Sequence, residues 1–179
     1  MVFDAARNRM VLFGGTDNGK IGTNDTWLWD GVNWSQPLPA VSPSPRWATQ
    51  LVYDPVRQRV LLFGGHKGAG VDLGDTWEWD GTTWAMLTPA TNPPPRANAS
   101  IAFNPNTGRV LMLGGRTTGE GVLNDTWEWD GTNWTRSMPA VSPPPRYAHA
   151  LAYDAIRARP VLFGGEGGGF LSDTWEWNG

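Results

Sequence analysis

Short apolar runs, each closed by a pair of glycines, alternate along the chain with stretches of turn-forming residues. Examples are MVLFGG at 10–15 and VLLFGG at 60–65. Between such runs, DTWEWD at 75–80 alternates polar and aromatic residues, so Trp77 and Trp79 project to the same face of a strand. The Asp-Gly pair at 80–81 is a strong hairpin signal. The pattern therefore predicts short antiparallel strands and no helical stretch.

The strand pattern returns with a fixed period. Gly-Gly pairs begin at 14, 64, 114 and 164, each fifty residues after the last. Within one copy we predict strand A after the Pro-Arg, strand B up to the glycines, strand C in the DTWEWD phrase and strand D from the next tryptophan. Proline-rich crossings such as 35–45 then end the sheet, because proline has no N–H to donate. A period near fifty indicates the blades of a propeller.

The chain is predicted to be a single domain, or part of one, with blades at approximately 1–45, 46–95, 96–145 and 146–179. Met1 aligns with Leu51 and Gly179 with Gly131, so the first blade is short of its inner strand and the last lacks strand D. Unpaired strands invite pairing with another chain. Three arrangements stay open: a four-bladed monomer, an eight-bladed ring of two chains, and a piece of a longer protein. The ragged ends favour the two-chain ring.

The tryptophans are concentrated in the repeated phrase, which holds eleven of the twelve. We predict that they fill the wedge between blades, with cross-strand contacts such as that of Trp79 with Trp84. The glycine pairs are expected to leave room for an indole against the backbone. The alternative is an exposed aromatic surface that stacks on sugars. The residues predicted to be structural are Gly14, Gly15, Gly64, Gly65, Gly114, Gly115, Gly164, Gly165, Trp27, Trp29, Trp34, Trp77, Trp79, Trp84, Trp127, Trp129, Trp134, Trp175 and Trp177.

Together these motifs resemble the kelch repeat family over the whole chain. The match rests on the glycine pair, the aromatics of strand C, the lone tryptophan of strand D, and Pro-Arg with a histidine three residues later, as in Arg146 and His149. The resemblance implies an all-β propeller of four-stranded blades, with strand A innermost and strand D outermost. It also implies that the B-to-C loops and the crossings lie on one face, around a central channel.

Candidate binding residues follow from that placement. We assign a ligand- or partner-binding role to Arg46, Arg96, Arg146, Trp47, His66 and Arg116. A ring of arginines suits an acidic peptide or a carboxylate. The alternative is that each arginine pins its crossing to its own blade. His66 is expected to be solvated and His149 to be a satisfied structural donor, while Asp54 and Arg59 are expected to pair across a turn.

Several function classes are disfavoured by composition. The formal net charge is −3 with no basic run, so no nucleic-acid partner is predicted, and no apolar run is long enough for a membrane span. There is no cysteine, which excludes copper radical oxidases of the galactose oxidase type, and no metal-ligand spacing appears. No catalytic residue, metal or cofactor is predicted. The richness in tryptophan, glycine, threonine and proline resembles exported bacterial kelch-type proteins, which favours a secreted or cell-surface setting.

The function predicted from the sequence is a non-catalytic scaffold for protein binding or assembly, which associates with another copy of itself to complete the ring. The alternative is a carbohydrate or small-molecule site in the channel, with isomerase or hydrolase chemistry to which Arg46, Arg96 and Glu120 would contribute.

Overall fold

The computed structural model describes residues 1–17 and 21–178, and within them the regular structure is β-strand without helix. Most strands form antiparallel sheets that are arranged as the blades of a propeller, which confirms the predicted fold class. Blade 1 consists of β1 (Val2–Asp4), β2 (Arg9–Thr16), β3 (Gly22–Trp29) and β4 (Trp34–Ser35). Blade 2 consists of β5 (Gln50–Asp54), β6 (Arg59–Gly68), β7 (Val71–Trp79) and β8 (Trp84–Leu87).

The second half of the chain repeats the arrangement with one difference. Blade 3 consists of β9 (Ser100–Asn104), β10 (Arg109–Leu113), β13 (Thr126–Trp129) and β14 (Trp134–Ser137), with the small hairpin β11 (Arg116–Thr117) and β12 (Gly121–Val122) in its B-to-C loop. Blade 4 consists of β15 (Ala150–Asp154), β16 (Arg159–Glu166) and β17 (Phe170–Glu176). In the described part of the chain, blade 4 therefore has three strands and no strand D.

Each Asp-Gly pair opens a hairpin loop between strands C and D. Trp79 faces Trp84 in the register, so the loop holds the four residues 80–83. Asp80 Oδ1 accepts the backbone N–H groups of Thr82 at 2.7 Å and Thr83 at 2.8 Å. The carboxylate thereby replaces the hydrogen bonds that a turn leaves unmade, which is why aspartate recurs there.

The core lies between the blades. Trp79, Trp84, Trp129 and Trp134 are each at most 1% exposed. The two indoles of one blade meet across the hairpin, with ring centroids 5.4 Å apart in both the Trp79–Trp84 and Trp129–Trp134 pairs. Burial of this much aromatic surface stabilises the packing of blades 2 and 3.

Gly64, the first glycine of the pair that ends strand B of blade 2, leaves room for the backbone of the following crossing. A Cβ at Gly64 would lie 2.5 Å from the carbonyl oxygen of Arg96, and φ at Gly64 is +63°. The next residue, Gly65, donates its N–H to that oxygen at 2.9 Å. The expectation that an indole lies against these glycines is therefore wrong, because Arg96 O of the following crossing occupies the space beside Gly64, and Thr49 and Trp47 O occupy the space beside Gly65.

Two further features concern the inner hairpins and the axis. Asp54 forms its ion pair with Arg57 at 2.6 Å and not with Arg59, although Arg59 is its cross-strand neighbour. Near the axis, Asn98 donates its N–H to Ala48 O, and Ala148 donates its N–H to Asn98 O, which links three successive blades.

Within residues 1–17 and 21–178, no helix has the length and apolarity to cross a membrane.

Candidate functional site

The crossing arginines connect neighbouring blades. The backbone of Arg96 is bound to blade 2, through Gly65 N–H to Arg96 O and Arg96 N–H to Leu73 O. Its side chain reaches blade 3, where it donates to both carboxylate oxygens of Asp125, at 2.6 and 2.7 Å, and to Gly114 O at 2.9 Å. Bidentate pairing of this kind fixes both position and orientation. Arg46 with Asp75 and Arg146 with Asp173 repeat the arrangement.

Burial and charge at these pairs favour a structural role. Arg46 and Arg146 are 0% exposed and Arg96 is 1% exposed. Burial alone would raise the pKa of Asp125, but the hydrogen bonds and positive charge of Arg96 outweigh it, so that pKa is lowered. Each arginine joins two blades, which is more than the anchoring of a crossing to its own blade. Each of the three guanidinium groups is bound to a different aspartate.

Trp47, which precedes strand β5, contacts His66 of strand β6. Their rings are 4.8 Å apart and nearly perpendicular, and their backbones form an antiparallel bridge. His66 Nδ1 lies 2.7 Å from Asp72 Oδ1, so the expectation that His66 is merely solvated is wrong. Asp72 also accepts the backbone N–H of Thr118 at 2.6 Å, which ties the B-to-C loop of blade 2 to that of blade 3.

Arg116 and Glu120 belong to the β11–β12 hairpin, which Asp72 binds through Thr118. Arg116 lies over the ring of Tyr147, 5.3 Å from its centroid. Glu120 is an exposed residue of the β11–β12 hairpin, whereas Arg46 and Arg96 are buried against aspartates. Across residues 1–17 and 21–178, no group of three or more histidine, aspartate or glutamate side chains could hold a metal ion. A ligand- or partner-binding role stays a prediction for all six candidates: Arg46, Arg96, Arg146, Trp47, His66 and Arg116.

His149 is buried between blades 3 and 4. Its side chain is next to Gly114, and neither imidazole nitrogen has a hydrogen-bond partner in the described residues. The prediction of a satisfied structural donor is therefore wrong. Burial lowers the pKa of His149 to about 4, and the positive charge of Arg146 adds to the effect. The side chain is thus neutral at physiological pH.

The junction of blades 1 and 2 and the junction of blades 2 and 3, here called the inner junctions, share one set of contacts. Phe13 of blade 1 packs edge-on against Trp84 of blade 2, with centroids 5.1 Å apart, and Trp84 Nε1 donates to Thr26 Oγ1 at 2.9 Å. Phe63 and Thr76 of blade 2 contact Trp134 of blade 3 in the same way, at 5.3 and 3.0 Å. The sequence analysis missed these threonines, although the DTW phrase places one in every blade.

A third contact covers the hairpin glycine of the following blade. The side chain of Arg7 in blade 1 occupies the space that a Cβ would need at Gly81 in blade 2. Arg57 of blade 2 covers Gly131 of blade 3 in the same manner. Each inner junction is therefore built from a phenylalanine, a threonine and an arginine on one blade, and a tryptophan and a glycine on the next.

The outward faces of blades 1 and 4 carry the unpaired halves of this contact set. Trp34 of blade 1 is 46% exposed, whereas its equivalents Trp84 and Trp134 are each 1% exposed. Phe163 of blade 4 is 54% exposed, whereas Phe13 is 4% exposed. A Cβ at Gly31 of blade 1 would meet nothing within 4 Å. In the described residues, the strands of blades 1 and 4 have no contact comparable to that of neighbouring inner blades.

Comparison with protein families agrees with the repeat pattern. A family model described as the KLHDC2/KLHL20/DRC7 Kelch-repeats domain matches residues 1–178. The matched region includes all four blades. No curated protein matches the chain.

Proposed function

The chain belongs to the Kelch-repeat family, and from that premise we propose that it is an interaction module that binds a second copy of itself to complete a ring. Kelch propellers generally mediate protein–protein interaction. The surfaces proposed for self-association are the outward face of blade 1, with Trp34 and Gly31, and the outward face of blade 4, with Phe163, Thr174 and Arg157.

The complementarity of these two faces is the observation that carries the proposal. Phe163 occupies the position of Phe13 and Phe63, and Thr174 that of Thr26 and Thr76. Arg157 occupies the position of Arg7 and Arg57, and its side chain is 64% exposed. Blade 1 supplies the other half, an exposed indole and an uncovered hairpin glycine. Blade 4 of one copy can therefore meet blade 1 of another through the contacts of an inner junction.

The two faces are unlike, so the expected contact is head-to-tail and not a symmetric pairing of identical surfaces. Such contacts produce either a closed ring or an open filament. Two copies joined at both junctions would form an eight-bladed ring, which lies within the range of four to eight blades typical of propellers. Closure would bury the large exposed aromatic side chains at both junctions.

The mass of the native protein in solution tests the proposal. Light scattering after size exclusion is expected to give twice the mass of one chain for the wild type. Phe163→Asp would place a charge in each junction and should give the monomer mass. Phe170→Asp is the matched control, because Phe170 is in the same blade, is 95% exposed and has no counterpart in the inner junctions.

Mixing two variants distinguishes head-to-tail contact from other modes of association. Trp34→Ala alone should also give the monomer mass, since both junctions of its ring would lack an indole. A mixed dimer contains one Phe163→Asp copy, which keeps Trp34, and one Trp34→Ala copy, which keeps Phe163. These two residues form one intact junction in the mixed dimer. Dimer is therefore expected in the mixture and in neither variant alone. A wild type with the mass of one chain, or a mixture that stays monomeric, would disprove the proposal.

A further inference from the structure

A pocket of about 300 Å³, here called the Arg9 pocket, lies between blades 1 and 2 at the end of the sheets that carries the A-to-B turns and the C-to-D loops. Blade 1 contributes Arg7 and Arg9 at its A-to-B turn and Leu28 of strand β3. Blade 2 contributes Trp79 of strand β7 and Thr82 of its C-to-D loop. The pocket therefore belongs to an inner junction, between two blades that each have four strands.

Leu28 stands at a repeat position that is acidic in the other blades. The equivalent residues of blades 2, 3 and 4 are Glu78, Glu128 and Glu176. In blade 4, Glu176 Oε2 accepts a hydrogen bond from Arg159 at 2.9 Å, and Glu176 Oε1 lies 3.9 Å from Arg157 Nε. One carboxylate thus interacts with both arginines of the A-to-B turn.

Blade 1 has the same two arginines without the glutamate. Arg7 and Arg9 occupy the positions of Arg157 and Arg159. Arg7 is paired with Asp4 at 2.8 Å. At Arg9, the side chain that corresponds to the glutamate is the isobutyl group of Leu28, which cannot accept a hydrogen bond. The arrangement that holds a carboxylate in blade 4 is therefore present in blade 1, but the chain supplies no carboxylate at that position.

The other charged residues around the Arg9 pocket have counterparts at the next junction. Those around the pocket are Asp4, Arg7, Arg9, Asp30 and Asp80. Those between blades 2 and 3 follow fifty residues later and are Asp54, Arg57, Arg59, Asp80 and Asp130. The pocket therefore differs from its counterpart by the loss of one negative charge, that of Glu78.

We propose that the Arg9 pocket binds a small organic carboxylate. The carboxylate group of the ligand accepts hydrogen bonds from Arg9 and interacts with Arg7, as the carboxylate of Glu176 does with the arginines of blade 4. Hydrogen bonds between arginine and carboxylate are charge-assisted and strong, and a pocket of this volume is at the lower end of the range for small-molecule sites. The proposal does not depend on self-association, because the pocket is separate from the outward faces of blades 1 and 4.

Titration of isotope-labelled protein with sodium propionate tests the proposal by NMR. Propionate is the side chain of glutamate as a free molecule, and sodium chloride at the same ionic strength is the reference. The backbone amides of Gly81 and Thr82, which line the pocket, should show saturable chemical-shift changes at millimolar propionate. The amides of Gly131 and Thr132, their equivalents in blade 3, should not respond, because Glu78 occupies that junction.

Substitutions of Leu28 examine whether the site is the position of the absent glutamate. Leu28→Glu should abolish the saturable changes at Gly81 and Thr82, because the chain then supplies the carboxylate itself. Leu28→Met is the matched control, since methionine has a similar volume and no charge and should leave propionate binding unchanged. Arg9→Gln should weaken binding at least about tenfold by removing a charge-assisted hydrogen bond.

Glu78→Leu provides the converse experiment. It should create a second site between blades 2 and 3, so that the amides of Gly131 and Thr132 respond to propionate as well. Absence of saturable changes at Gly81 and Thr82 in the wild type would overturn the proposal. Unaltered binding by Arg9→Gln or Leu28→Glu, or a folded Glu78→Leu variant without the second site, would overturn it as well.

Discussion

Acidification is expected to destabilise the protein through His149. The pKa of His149 is lowered from 6.5 to about 4 in the folded protein, chiefly by burial. Between these two values the unfolded chain binds a proton that the folded chain does not. The stability contributed by the neutral side chain is therefore complete above about pH 6.5 and is lost as the pH falls toward about 4.

The size of the effect follows from the difference between the two pKa values. One pKa unit corresponds to about 1.4 kcal/mol, so acidification from about pH 7 to about pH 4.5 should lower the free energy of unfolding by about 2.5 kcal/mol through this residue. The lowered pKa values of aspartates such as Asp75 act in the same direction, but that contribution is lost mainly below the ordinary pKa of 3.8.

Urea denaturation of the wild type and of His149→Thr at both pH values isolates the contribution of the histidine. Threonine is the residue that blade 2 has at this position, where Thr49 Oγ1 donates to Phe63 O at 3.0 Å. The variant should lose about 2.5 kcal/mol less on acidification than the wild type, whatever its stability at neutral pH. Equal losses for the two proteins would refute the reasoning, because they would show that His149 is not buried in its neutral form.

Further substitutions examine the packing of the blades by urea denaturation. Trp129→Ala should cost about 3–5 kcal/mol, the range for removal of a large buried aromatic side chain, and an unchanged stability would contradict the assigned core. Gly108→Ala should cost about 1–2 kcal/mol from its positive φ alone. Gly64→Ala should cost more, since the added Cβ also meets Arg96 O, and a smaller cost would contradict that close approach. Asp125→Asn should cost about 3–5 kcal/mol by leaving a buried guanidinium without its anionic partner, and an unchanged stability would argue against the buried ion pair.

The strands and their order could be predicted from the sequence because each repeat contains the signals for its own strands within a short stretch of residues. The alternation in DTWEWD, the Asp-Gly hairpin and the proline-rich crossing are all short-range signals, and four copies in register reinforce one another. The absence of strand D from the described part of blade 4 could be predicted for the same reason. The cross-strand contact of Trp79 with Trp84 also follows from hairpin geometry, since these residues flank a four-residue loop.

The contacts between blades could not be predicted in this way, because they join residues that are far apart in sequence. Arg96 binds Asp125 across 29 residues, and Trp134 Nε1 binds Thr76 across 58. The hydrophobic pattern does not indicate that the carbonyl group of a crossing residue, and not an indole, lies against Gly64. The environment of His149 was misjudged because a lone histidine in a strand gives no information on whether its nitrogens find partners.

The uniformity of the inner junctions has a consequence for the growth of such chains. The contact of Phe13 with Trp84 is repeated by Phe63 with Trp134, one period later and with nearly the same geometry. A tandem copy of blade 2 would therefore create one new junction that already has the complementary phenylalanine, threonine, arginine, tryptophan and glycine. Duplication of this fifty-residue unit would lengthen the protein by one blade without new compensating mutations at the junction.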